Sequence, residues 1–146
     1  MTGKTIRNIH IGDKAEISKT VSETDIYLYA GITGDFNPAH LDETYARETF
    51  FKTRIAHGML TAGFISAALA NRLPGPGSIY LHQEMDFIAP VHIGDTITAR
   101  VEVIEINAEK NRVRFRTHCY NQEGTCILDG AALVSPPREK SQEKNS

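Results

Sequence analysis

Ile55-Ala-His-Gly-Met-Leu-Thr-Ala-Gly-Phe-Ile-Ser-Ala-Ala-Leu-Ala-Asn71 lies without a single charge between Arg54 and Arg72, and its reading decides the fold. The stretch is shorter than the about 20 predominantly apolar residues that a membrane span needs. It also contains His57, Thr61, Ser66 and Asn71, so it predicts a buried helix of a soluble domain, with no membrane partner. The helix is expected to start near His57 and to run to about Arg72, where Leu73-Pro-Gly-Pro-Gly77 ends it. A helix that is apolar nearly all round is buried nearly all round. Gly58, Ala62, Gly63, Ala67, Ala68 and Ala70 would let a sheet approach it closely.

That sheet is expected on the C-terminal side. Strands are predicted over Ile79 to Ala89, Asp95 to Ile106, Arg112 to Asn121 and Thr125 to Val134. Pro90 with Gly94-Asp95, then Asn107 to Asn111, then Asn121 to Gly124 supply the turns between them. Their apolar residues form mixed periodic and continuous runs, which suits an antiparallel sheet with one face on a buried helix. On the N-terminal side, Lys14 to Val21 alternates at period two and predicts a half-buried strand. Ser22-Glu-Thr-Asp25 then offers a helix start and Gly34 a stop. The dense apolar residues from Ile26 to Thr33 predict a helix packed on more than one side. Asp35 to Leu41, interrupted by Pro38, predicts an irregular loop, and Asp42 can cap a short helix through Tyr45 and Ala46.

The fold class is therefore α+β. With 146 residues, one domain is expected, over residues 1–135. Residues 136–146, PPREKSQEKNS, have little to bury and are expected to be disordered. The 16 basic and 18 acidic residues leave no basic footprint, which argues against nucleic acid as a partner. Cys119 and Cys126 have no metal-ligand spacing and predict reduced thiols. No secretory or transit pattern opens the sequence, so the cytoplasm is the expected location.

Chemistry concentrates in Gly34-Asp-Phe-Asn-Pro-Ala-His-Leu-Asp42. Asp35 and His40 lie five positions apart, with Asn37 between them and Pro38 stiffening the backbone. Acid and base work needs two groups of different proton affinity in reach of one water and one substrate. The reference values, about 3.9 for Asp and about 6.5 for His, suit that task. Asp and Asn before Pro are also common turn residues, so spacing alone supports a structural loop equally well. An EF-hand calcium loop fails here: Ala39 and Ala46 stand where ligands are needed, and His40 replaces the turn glycine. No other metal pattern is present, and no cofactor is expected. At Ala56-His57-Gly58-Met59 the buried helix begins, and the Gly58 amide could stabilise an oxygen gaining negative charge. Taken alone, His57 and Gly58 are better read as packing residues. Ser66 is a hydroxyl inside the apolar helix, free to bond its own backbone or a polar partner. No GxSxG elbow, phosphate loop or GxGxxG is present, so hydride and phosphoryl transfer have no support.

The Gly-Asp-Phe-Asn-Pro-x-His-x-Asp loop followed by Ile-Ala-His-Gly-Met-Leu resembles the MaoC-like (R)-specific enoyl-CoA hydratases, which feed polyhydroxyalkanoate synthesis. Leu-Pro-Gly-Pro-Gly-Ser-Ile-Tyr-Leu, Phe-Ile-Ala-Pro-Val and Ile-Gly-Asp-Thr-Ile extend the likeness over roughly Ile17 to Val134. The resemblance implies a hot-dog fold, a long central helix wrapped by an antiparallel sheet, and a homodimer. It implies reversible syn hydration of trans-2-enoyl-CoA to (R)-3-hydroxyacyl-CoA, without a cofactor. It makes Asp35 and His40 the catalytic pair, Gly58 the oxyanion-hole glycine and Ser66 the support of the aspartate, while Asn37 orients the loop or the water. Either Asp35 is base toward water and His40 proton donor toward C2, or the reverse.

Tyr80, Leu81, Met85, Phe87 and Phe64 are candidates for an acyl tunnel, though each suits a core equally. Arg54, Lys52 and Arg72 are candidates for the CoA phosphates. Three alternatives remain: a dehydratase of 3-hydroxyacyl thioesters on acyl carrier protein, a hot-dog thioesterase, and an acyl-CoA-binding module without turnover.

Overall fold

The computed structural model describes residues 2–140. After a short 3-10 turn at Ile6–Asn8 come β1 (Lys14–Thr20), α1 (Glu23–Thr33), α2 (Pro38–Leu41), α3 (Glu43–Arg47) and α4 (Gly58–Asn71). The strands β2 (Ile79–Phe87), β3 (Thr96–Asn107), β4 (Arg112–Tyr120) and β5 (Cys126–Ser135) follow. They form one antiparallel sheet in the order β1-β3-β4-β5-β2, with α4 packed against it.

Alternation drives this arrangement. On β3 the side chains of Ile97, Ala99, Val101 and Val103 face inward and are buried, and Val113, Phe115 and Cys119 do the same on β4. The consecutive pair Val103-Ile104 would break the pattern, but a register irregularity between Val103 and Glu105 leaves Ile104 outside the pairing and exposed. From the helix side, Ala62, Ile65, Ala68 and Leu69 enter the same core. Small residues at Ala62 and Ala68 keep α4 close to the strands.

The helix ends follow local chemistry. Ser22 and Asp25 form a reciprocal capping box at the start of α1, and Gly34 closes it in the left-handed region at φ 81°. His57 and Arg72 flank α4, as the charge-free stretch predicts.

Four expectations need correction. Asp35 to Leu41 is not wholly irregular: Pro38 sits where a proline's fixed φ favours a helix start, the Asn37 side chain caps it, and one turn of helix forms. Only Ile26 and Ala30 of α1 are buried, while Tyr27, Leu28 and Ile32 are exposed, because a single neighbouring layer covers the helix. Likewise α4 is covered on one side, leaving Met59, Gly63, Ser66 and Ala70 exposed. Finally, Pro136 and Pro137 are buried, and the Pro136 carbonyl accepts a hydrogen bond from the Asn111 amide at 2.8 Å, so packing continues past residue 135. Residues 141–146 of the expected tail lie outside the described residues.

Candidate active site

Two segments far apart in sequence are stitched side by side. Ile55 donates its N–H to the Ala39 carbonyl at 3.3 Å, and the Ile55 carbonyl accepts from His40 Nδ1 at 2.7 Å. One residue on, Ala56 donates to the Val91 carbonyl at 2.8 Å, which fixes the entry to α4. The turn carrying Asp35 and the helix start carrying Gly58 therefore meet at one cavity of about 500 Å³. Asp35, His40, His57 and Gly58 line its polar end, and Phe50, Phe51, Met59, Phe87 and Ile88 line the apolar part.

The proton-bearing atoms are fixed by their partners. A carbonyl oxygen only accepts, so His40 presents N–H at Nδ1 to Ile55 and leaves Nε2 for proton exchange. Asp35 Oδ1 accepts from the Asn37 N–H at 3.3 Å, and Asn37 Oδ1 accepts from the Ala39 N–H at 3.1 Å. Asn37 thus orients the loop, by capping the turn that carries His40. Ligand-type atoms of Asp35, His40 and His57 lie within 4.8 Å of one another. The His40 and His57 rings stack with centroids 3.9 Å apart and planes at 32°, a face contact that suits packing better than shared chelation of one ion.

At the start of α4 the Gly58 amide belongs to the first turn, whose N–H groups have no partner within the helix. A Cβ on Gly58 would stand 2.7 Å from a Phe87 ring carbon, so glycine allows that aromatic wall to close over the helix start. Gly58, Asp35 and His40 all line this one space. Such a set can hold a water between two proton-transfer groups and place a dipole on a neighbouring oxygen.

Other sequence candidates lie elsewhere. Ser66, exposed eight residues along α4, is about 12 Å of helix from Gly58. It shares with Tyr80, Leu81 and Met85 a second groove of about 370 Å³ between α4 and β2. Phe64 packs against the hydrophobic core. Phe87 alone among the tunnel candidates lines the first cavity.

Arg54 requires a correction. Its guanidinium lies 2.6 Å from Glu23 and 3.5 Å from Glu43, and donates to the Tyr27 hydroxyl at 3.0 Å. With its side chain 12% exposed, it ties α1 to α3 and is not free for a phosphate. Arg72 caps the far end of α4, about 20 Å from Gly58. Lys52 remains, exposed and directly after Phe50 and Phe51 at the cavity.

Residues whose cavity role the sequence did not disclose include His57, Thr61 and the Phe50-Phe51 pair. The signal for His57 was its place immediately before Gly58. It is 2% exposed, and desolvation holds its pKa below 6.5, opposed by the hydrogen bond to the Asp35 carbonyl and reinforced by the neighbouring His40 charge. The unfolded chain accepts that proton near 6.5 and the folded chain does not, so this group makes stability fall as pH drops below about 6.5. The denaturant midpoint should therefore be lower at about pH 5.5 than at about pH 7.5, with a smaller difference in His57→Gln. An equal difference in both proteins would show that His57 contributes nothing to it.

A five-stranded antiparallel sheet around a central helix, with this polar end at the helix start, defines a hot-dog-fold protein. An R-hydratase of Pseudomonas aeruginosa, solved in the unliganded form, superposes with a TM-score of 0.89 at 46% identity, covering 94% of this chain and 88% of that one. The family model for the MaoC like domain matches residues 8–123. The chain belongs to the MaoC-like family. It is 55% identical over 130 residues to an (R)-specific enoyl-CoA hydratase of Rhodospirillum rubrum, covering 89% of this chain and 90% of the relative. It is 44% identical over 136 residues to a 3-hydroxybutyryl-CoA dehydratase of Methylorubrum extorquens, covering 93% and 86%. No helix among the described residues is long and apolar enough to cross a membrane.

Proposed function

We propose that the protein is an (R)-specific enoyl-CoA hydratase, a hydro-lyase that adds water reversibly and syn across trans-2-enoyl-CoA. The observation that carries this reading is the meeting of the Asp35 carboxylate, the His40 imidazole and the Gly58 helix-start amide at one cavity with an apolar wall. Likeness to hydratases over most of the chain supports it.

In the forward direction the thioester carbonyl lies against the Gly58 amide, which stabilises the negative charge that builds on oxygen as C3 is attacked. Asp35 takes a proton from water while the water oxygen bonds to C3. His40 delivers the proton at Nε2 to C2, and a proton passes back from Asp35 to His40 before the next cycle. Net, one water is added and the double bond is lost. The acyl chain lies along the Phe87 wall, and Lys52 beside the mouth meets a CoA phosphate. The chain acts as one cytoplasmic domain whose packing runs on through Pro136 and Pro137, with Cys119 and Cys126 free.

The working unit is a homodimer. β2 is a sheet edge whose Ile79, Tyr80 and Leu81 are exposed, and the adjoining face of α4 is uncovered. A second copy placed there would cover both, and with them the groove that holds Ser66. Light scattering should give twice the 16.2 kDa of one subunit; a single-subunit mass would contradict the dimer.

The reaction itself is tested by supplying crotonyl-CoA. Loss of the conjugated enoyl-thioester absorbance without release of free thiol is expected. Thiol release would mean thioester hydrolysis, and binding without consumption would mean a module that does not turn over.

A further inference from the structure

His57 makes contacts that packing alone does not require. Its ring is buried against one continuous stretch at three points: Tyr29 of α1, the Asp35 main chain and His40. Nε2 lies 3.0 Å from the Asp35 main-chain carbonyl oxygen. Because that oxygen can only accept, Nε2 carries the proton and the neutral ring is confined to one tautomer. Nδ1 is buried with no partner, so the opposite tautomer would gain no protein hydrogen bond in place of the one to Asp35. One face of the ring meets His40 at 3.9 Å between centroids, and Tyr29 of α1 stands 4.6 Å away. The side chain gives α4 no capping hydrogen bond, although His57 occupies the cap position. Its polar capacity is directed to Asp35 instead.

We infer that His57 is a positioning residue for the proton-transfer pair, its Nε2–H holding the Asp35 main chain while its ring supports the His40 imidazole. The inference rests on the hydratase reading above and adds to it what keeps the pair aligned. The Ile55 carbonyl fixes His40 and the Asn37 cap shapes the turn, but His57 is the side chain that touches both Asp35 and His40, and an error of about 1 Å in their aim costs roughly 10²-fold in rate. Burial favours the neutral state that the role requires, since a second imidazolium against His40 would be repelled.

Two substitutions separate this role from space-filling. Glutamine places an amide N–H as many bonds from Cα as Nε2, and asparagine places one where Nδ1 lies. His57→Asn is expected to lower kcat by roughly 10²-fold with KM within about threefold, and His57→Gln to recover most of that loss. Equal activity in the two variants, or a loss confined to KM, would overturn the inference. Nitrogen-15 NMR of the wild-type imidazoles gives a readout that needs neither variant to fold. His57 should be in the Nε2–H form at neutral pH, and an Nδ1–H form would refute the hydrogen bond. If the wild type leaves crotonyl-CoA untouched, the hydratase reading fails, and the NMR result still decides whether His57 holds the Asp35 carbonyl.

Discussion

Asp35→Asn should lower kcat by about 10²- to 10⁴-fold, the range expected when one proton-transfer group is removed. The substitution is nearly isosteric, and its amide oxygen can still accept the hydrogen bond from the Asn37 N–H, so the turn persists. The companion change is His40→Asn, whose amide N–H can take over the bond from Nδ1 to the Ile55 carbonyl while the nitrogen at Nε2 disappears. A loss of similar size is expected there. KM should move little in both, because in the proposed function the acyl chain is seated on the cavity's apolar wall, away from the pair. Steady-state kinetics beside unfolding curves checks the point. Wild-type kcat in either variant would remove that residue from the chemistry.

Gly58→Pro should cost about 10²- to 10³-fold in kcat, the value of one oxyanion-hole donor. Proline at the first position of a helix replaces an N–H that has no partner within the helix, so α4 itself loses little. His57, at φ −59° and ψ 134°, already has the extended geometry that a following proline demands. Crowding of the Phe87 ring follows from any Cβ there, which lies 2.7 Å from it, and proline adds its Cδ where the amide hydrogen was. Gly58→Ala introduces the same Cβ crowding and keeps the amide, so the ratio of the two variants reports the loss of the N–H together with the Cδ that takes its place. Equal rates in both would show that the amide stabilises nothing.

Much of the fold was legible because its signals are local. The charge-free run between Arg54 and Arg72 marked α4 to within a residue, Ser22 and Gly34 bracketed α1, and alternation from Lys14 to Val21 with turn signals around the later apolar runs placed every strand within two residues. The turn at Pro38–Leu41 was missed because one proline was read as a breaker, whereas at a helix start its fixed φ is an advantage. Exposure was misjudged for α1 and α4 because composition reports how much a helix can bury, not what is present to cover it.

The site was legible to a lesser degree. Asp35, His40 and Gly58 were found through chemistry and resemblance, and they do share a cavity. Arg54 was misread because its partners, Glu23, Tyr27 and Glu43, come together only in three dimensions. Nothing in the order of residues announces that a cation is already neutralised. For His57 the reverse holds: a bland sequence position becomes informative once its ring is found against the Asp35 main-chain carbonyl and the His40 imidazole.

The most direct test of the central claim is the configuration of the product formed from crotonyl-CoA and water. The R enantiomer of 3-hydroxybutyryl-CoA is expected, formed at a rate that collapses in Asp35→Asn. An S product, or R product formed at the same rate by that variant, would contradict the assignment of the chemistry to this cavity.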